Sequence, residues 1–533
     1  MLAKGDRAAE RGSPLAMPHI QASVRSPWSA AVPLQAGRFV SLFAKHQSCN
    51  RITDFAALAS FGVPQPLAPT NLGFADYQLD PQYAGPRRQG AGRAVFHGAY
   101  YLKGAGRTPL ALDWHDHRDA PLTTGHLPPS AGLRELVVSR YLRAKGLAQH
   151  VVACEGLLIA PLARELGEPL VRAYARRGIQ LAPSDLHMQA ISVKPANFAR
   201  WSNILWLAHQ TAPEPESVLE FAWLCEHFAL ARGPREHNLP HPETCSPSTI
   251  AASLSAALSR GFAALETCFR HGLYLGGIGH EDVTLDGRIL DLETPLISGE
   301  ALLCKHSTAP ASAELGRSGR PFGIEFLLYA RTVRRALETL DARLGVLERR
   351  AACPGVAVFL GQLRASLSAE FGSSHPIHNA QSMRAGLTQV YRETGAPDAL
   401  ISRVIDAQVA HIDHQLELPP LSARRVATSF AATAPGLRTE LTILEGAPGL
   451  RSTQAAAERE LLFELYTELD SITDPARYLS RLRSWIGRID AEVRPTGALP
   501  LTAQPPQAAP SGKPRSGVHP SPLHRAPAAN GAA

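Results

Sequence analysis

The stretch from Val283 to Leu290, Val-Thr-Leu-Asp-Gly-Arg-Ile-Leu, constrains the fold of this chain more than any other. Short β-prone runs flank Asp286-Gly287, and Asp-Gly suits a two-residue type I′ turn, so the sequence predicts a tight hairpin. In that register Leu285 pairs with Arg288, Thr284 with Ile289 and Val283 with Leu290, which brings Asp282 opposite Asp291. Directly opposed residues sit about 4.5–5.5 Å apart. Two carboxylates there repel unless positive charge lies between them, and a divalent cation is the simplest source. Carboxylate oxygens with few other ligands suit Mg2+, with Mn2+ as the alternative. The competing reading is an exposed hairpin whose ends happen to be acidic.

Upstream motifs favour the cation. Gly90, Gly92 and Arg93 form a glycine-rich turn whose backbone N–H groups can approach phosphate oxygens. Residues 93–103 then read as strand–turn–strand, interrupted at His97-Gly98, and end on Lys103. That lysine carries weight because the chain has seven Lys against 47 Arg. A compact ammonium is not interchangeable with a guanidinium. Residues 131–145 read as a helix, with Leu133, Val137 and Tyr141 on one face. Glu135 lies about a turn from its start, where it can orient Lys103 through an ion pair; the plainer reading is a glutamate favoured by the helix dipole. Lys103 with Glu135, and Asp282 with Asp291, make the minimum set for a kinase-like nucleotide site.

The runs YAGPRRQGAGRA, YYLKGAGRTP, GLREL and HEDVTLDGRILDLETP, with PQPLAPTNLGFADYQL before them, resemble the selenoprotein O family of protein adenylyltransferases. The resemblance covers roughly residues 40–310. It implies a protein-kinase-like two-lobed α+β fold that binds ATP with Mg2+ in a flipped orientation and transfers AMP to a hydroxyl of a protein or peptide acceptor. It also implies roles for single residues. Gly90, Gly92 and Arg93 would form the phosphate loop, and Lys103 and Glu135 the ion pair. Gly125 falls at the family's Asp-Gly pair, with Thr124 replacing the Asp. Lys194 and Arg200 fall near its two nucleotide-binding arginines, with one residue fewer between them. Glu281 would be the general base in place of Asp, Asp282 a metal ligand in place of Asn, and Asp291 the second metal ligand. Glu293 stands where the family has Gly. Two other outcomes stay open: kinase-type transfer of the γ-phosphate to a protein, peptide or small molecule, and a catalytically silent nucleotide-binding scaffold.

The sequence predicts five regions: a flexible leader at 1–38, an N-lobe at 39–165, a C-lobe at 166–320, a helical extension at 321–493 and a Pro/Ala-rich tail at 494–533. Helical patterns cover 214–232, 249–271, 321–348, 356–371 and 455–492. Lys plus Arg number 54 against 47 Asp plus Glu, a formal charge of +7. All of it lies in the flanks: five basic and two acidic residues in 1–38, four basic and none acidic in 494–533. The body is neutral, so charge offers no argument for nucleic acid. No run approaches the roughly 18–20 apolar residues of a membrane span. The N-terminus lacks a signal-peptide core, and seven scattered Cys without a CxxC pair fit reduced thiols. A cytoplasmic protein is expected, with no prediction of oligomeric state. His115, Asp116 and His117, and the pair His411 and His414, lack the third ligand of a metal site.

Overall fold

The computed structural model describes residues 30–33, 35–36, 40–43, 57–58, 72–75, 92–97, 100–106, 125–162, 181–196, 198–206, 246–274, 282–293, 296–297, 322–351, 354–417 and 452–493. A few isolated positions, Glu440 and Ile443 among them, are described as well. The chain divides into units 1–495 and 496–533, and every described residue lies in the first.

The architecture is mixed helix and sheet. Its strands are β1 (Ala30–Pro33), β2 (Gln35–Ala36), β3 (Val40–Phe43), β4 (Ala57–Leu58), β5 (Leu72–Ala75), β6 (Ala94–His97), β7 (Tyr100–Lys103), β8 (Gly156–Pro161), β9 (Met188–Pro195), β10 (Leu273–Tyr274) and β11 (Leu296–Ile297). A seven-stranded sheet has the order β1-β5-β6-β7-β9-β8-β3, and every pairing in it is antiparallel. β10 pairs with β11, and β2 with β4. The helices are α1 (Pro129–Ala144), α2 (Pro183–His187), α3 (Trp201–Trp206), α4 (Pro247–Arg270), α5 (Phe322–Arg350), α6 (Pro354–Phe371), α7 (Ala380–Arg392), α8 (Asp398–Glu417), α9 (Thr453–Asp470) and α10 (Pro475–Glu492).

β8 and β9 are buried almost throughout, which their continuous apolar runs GLLIAP and MQAISV require. Helix α1 lies on them, and α10 packs against α1, β3 and β8. One apolar core therefore runs from Leu157 and Ile159 of β8 through Leu136 and Val137 of α1 to Leu479, Leu482 and Ile489 of α10. Each such side chain contributes about 1.5–3 kcal/mol by leaving water. The same core continues into α5, which packs against α3, α4, α6 and α8.

Several expectations need correction. Residues 30–33, expected in a flexible leader, form β1 and pair with β5. The lobe boundary expected at 165/166 cuts the sheet, because β9 lies between β7 and β8. The single helical span 455–492 is two helices. Ser452 caps α9 by accepting the Ala455 N–H, and Asp474 caps α10 by accepting the Arg477 N–H at 2.7 Å, with Pro475 at its first position. The pattern at 214–232 lies outside the described residues.

Candidate functional site

The site forms where α1 meets the sheet. Asp185 of α2 accepts both the Ser130 backbone N–H (2.8 Å) and its hydroxyl (2.7 Å), so an acidic side chain from a neighbouring element closes the start of α1. Gly132 allows the helix to approach: a Cβ there would stand 2.7 Å from Leu157 Cδ1 and 3.1 Å from Ala190 Cβ. One turn later on that face comes Glu135, with no exposed surface at all.

The sheet meets Glu135 with two lysines. Lys103 lies opposite Ser192 and Tyr101 opposite Lys194, so Lys103 and Lys194 are diagonal neighbours on one face. Glu135 Oε1 accepts from Lys194 Nζ at 2.9 Å and from Lys103 Nζ at 3.2 Å. Lys103 also pairs with Asp291 and, at 3.1 Å, with Glu293. Lys194 reaches Asp291 at 3.6 Å and donates to the Leu290 carbonyl at 3.0 Å. Arg93 pairs with Glu293 and donates to the His126 carbonyl at 3.2 Å. Arg200 pairs with Asp282 and donates to the Tyr101 hydroxyl at 2.7 Å. The described residues thus set four cations (Arg93, Lys103, Lys194, Arg200) against four carboxylates (Glu135, Asp282, Asp291, Glu293), each at most 17% exposed in its side chain.

Burial opposes charge on Lys103, Glu135, Lys194, Asp282 and Asp291. Burial pushes the Glu135 carboxyl up against the pull of Lys194 and Lys103. It pushes Asp291 the same way, but Lys103 and Lys194 outweigh it and hold Asp291 well below the usual range. Burial, aided by Asp291, raises Asp282 to about 6 although Arg200 pulls it down. The Lys103 ammonium is disfavoured by burial, yet Asp291, Glu293 and Glu135 together hold its pKa above the ordinary value. Burial lowers His126 to about 3, so its imidazole is neutral.

The hairpin exists with a register one residue from that expected. Val283 pairs with Ile289, Leu290 N–H donates to Asp282 O at 2.8 Å and Thr284 N–H donates to Arg288 O at 2.8 Å. The loop is therefore three residues long, with Gly287 alone at positive φ (+85°) and its N–H donating to Thr284 O at 2.9 Å. The Asp286 carboxylate selects this loop by accepting from the Thr284 hydroxyl and, at 2.7 Å, from Arg288 Nε. Asp282 consequently stands opposite Leu290 rather than Asp291. The positive charge beside these aspartates comes from Lys103 and Arg200 of the chain itself.

The structure brings Arg93, Lys103, Glu135, Lys194, Arg200, Asp282 and Asp291 together. Lys194 has no exposed side-chain surface and touches Glu135, Asp291 and Leu290, a positioning place rather than an open phosphate seat. Gly92 is buried beside Arg93. Gly125 (φ +69°) accepts the Gly106 N–H at 3.2 Å, bracing the loop after Lys103. Gly90, Thr124, Glu281 and residues 114–121 lie outside the described residues, as do the side chains of His411 and His414. The sequence reading missed Glu293 as a site member and Tyr101 as the partner of Arg200. Glu293 had one available signal, a charged residue two positions beyond Asp291 where the resemblance expects Gly.

Three of these carboxylates are grouped closely enough that they could hold a metal ion, although Lys103 Nζ already lies against all three. Glu135, Asp291 and Glu293 each offer an oxygen within 4.8 Å of the others, and Glu135 Oε2 and Glu293 Oε2 are buried with no hydrogen-bond partner. No family model matches the sequence, and no curated protein matches it. Among the described residues no helix is long and apolar enough to cross a membrane.

Proposed function

We propose that this protein is an ATP- and Mg2+-dependent nucleotidyltransferase of protein-kinase-like fold, passing AMP to a hydroxyl of a protein or peptide. One observation carries the reading: Lys103, on the third strand of the run β5-β6-β7, is bonded at once to Glu135 of the next helix and to Asp291 at the end of the hairpin. A strand lysine paired to a helix glutamate beside a metal-binding aspartate is the arrangement that kinases require for activity. The resemblance of LKGAG and of the hairpin segment to selenoprotein O supports AMP as the transferred group.

In this reading Lys103 and Arg93 bind phosphate oxygens, and Asp282 and Asp291 would hold a divalent cation, which would supply charge neutralisation at the phosphates. Glu135 fixes the Lys103 ammonium, and Lys194 fixes Glu135. Glu281 takes the proton of the attacking hydroxyl, whose oxygen bonds to the α-phosphorus as the bond to the β-phosphate breaks and pyrophosphate leaves. Catalysis then rests on positioning and on charges fixed before the reaction starts.

The test is incubation of the full chain with Mg2+, a lysate as acceptor source and ATP labelled at the α or the γ position, beside Asp291→Ala. α-label that reaches an acceptor with wild type and not with Asp291→Ala is the expected result. Label arriving only from γ replaces adenylylation with kinase chemistry. Equal labelling by the two proteins excludes catalysis at this site.

A further inference from the structure

We infer that Glu293 is an internal stand-in for phosphate, its carboxylate holding Arg93 and Lys103 until the phosphates of a polyphosphate ligand displace it. The inference deepens the proposed function and takes its meaning from that reading of Arg93 and Lys103.

Both cations converge on a single oxygen. Arg93 Nη2 and Lys103 Nζ each meet Glu293 Oε1, the lysine at 3.1 Å. The three side chains are 7%, 5% and 13% exposed, so water screens the two like charges poorly. Adjacent buried cations are strongly unfavourable without an anion between them, and Glu293 supplies it.

The contact is also easily exchanged. An arginine fork binds a carboxylate best through two parallel bonds to both oxygens. Here one oxygen takes both cations while Glu293 Oε2 is buried without a hydrogen-bond partner. A phosphate presents three acceptor oxygens and can serve each cation separately. Lys103 loses only one of its three carboxylates in the exchange, because Glu135 and Asp291 remain on it. Glu293 therefore sets how tightly the site takes polyphosphate, and its removal leaves an anion site with no internal occupant.

The experiment titrates the full chain with inorganic tripolyphosphate in a calorimeter, without nucleotide or metal. Glu293→Gln, of the same shape and uncharged, is expected to bind about tenfold more tightly than wild type, a difference of about 1.4 kcal/mol. Glu293→Asp keeps the charge on a shorter stem and is expected to fall between the two, so it answers the question even if the Gln variant folds poorly. Adding Lys103→Met to Glu293→Gln removes the gain. Equal or weaker binding by both Glu293 variants, or no binding by any of the proteins, overturns the inference. A loss of stability alone would not tighten binding. Should the variants bind as expected while wild type transfers no label from ATP, the proposed function fails and the role of Glu293 stands.

Discussion

Glu135 and Glu440 are both fully buried, and their surroundings solve the problem differently. At the junction of α1 with the sheet, charge meets charge: four carboxylates face four cations drawn from Arg93, just before β6, to Arg200, beyond β9. At the start of α5, Glu440 meets no cation among the described residues. Its oxygens accept the Phe322 N–H at 2.7 Å and the Gly323 N–H at 3.1 Å, along with the Tyr391 hydroxyl and the Gln408 amide. Burial raises Glu440 to about 7 despite those bonds. Neutral donors at a helix start make a fixed joint, which can gain a proton and remain a joint. A matched set of charges can instead trade partners with an incoming ion, which is what the proposed function asks of it.

The comparison breaks first at Lys194. Lys194→Met leaves buried Glu135 with one ammonium instead of two, and denaturant unfolding should show a loss of about 3–5 kcal/mol. A loss under about 1 kcal/mol would mean that the cluster does not depend on its charge balance. Next comes Lys103→Met, expected to lower label transfer about 10²–10³-fold while Glu440→Gln leaves the rate of folded molecules unchanged. A rate loss in Glu440→Gln as large as in Lys103→Met would dissolve the distinction between the two regions.

Acid–base linkage sharpens it further. The Glu440 pKa is higher folded (about 7) than unfolded, so its contribution is fully present below the unfolded value and is lost as pH rises through about 7. Stability of wild type relative to Glu440→Gln should therefore fall between about pH 4.5 and 7, by on the order of 3 kcal/mol. A pH-independent difference would mean Glu440 is ionised throughout. The smallest effect belongs to surface charge. Arg364 of α6 bridges Asp341 and Glu348 of α5, but its side chain is 34% exposed. Arg364→Ala should cost less than about 1 kcal/mol, and a larger loss in thermal unfolding would overturn the ranking.

Much of the site was legible along the chain because its elements are local. Strands β6 and β7, helix α1 and the hairpin each follow from short-range pattern, and their key residues, Lys103, Glu135 and Asp291, carry ordinary motif signals. Other features had signals that were readable and went unread. Asp474-Pro475 is a helix start inside the span 455–492. The hairpin register turned on whether Asp286 occupies a two-residue turn or folds back on Thr284 and Arg288, a choice its side chain makes through space.

What the sequence alone determined was the list of chemically capable residues and the neutrality of the body that holds them. Which of those residues meet was decided only by tertiary structure. Lys194 joins Lys103 on Glu135 because β9 crosses back to lie beside β7, a pairing of strands 85 or more residues apart along the chain. Glu293 meets Arg93 across 200 positions. Local propensity carries no information about such partners. They are set by which strand edges pair and by how closely α1 can press on the sheet at Gly132, and both are properties of the packed molecule.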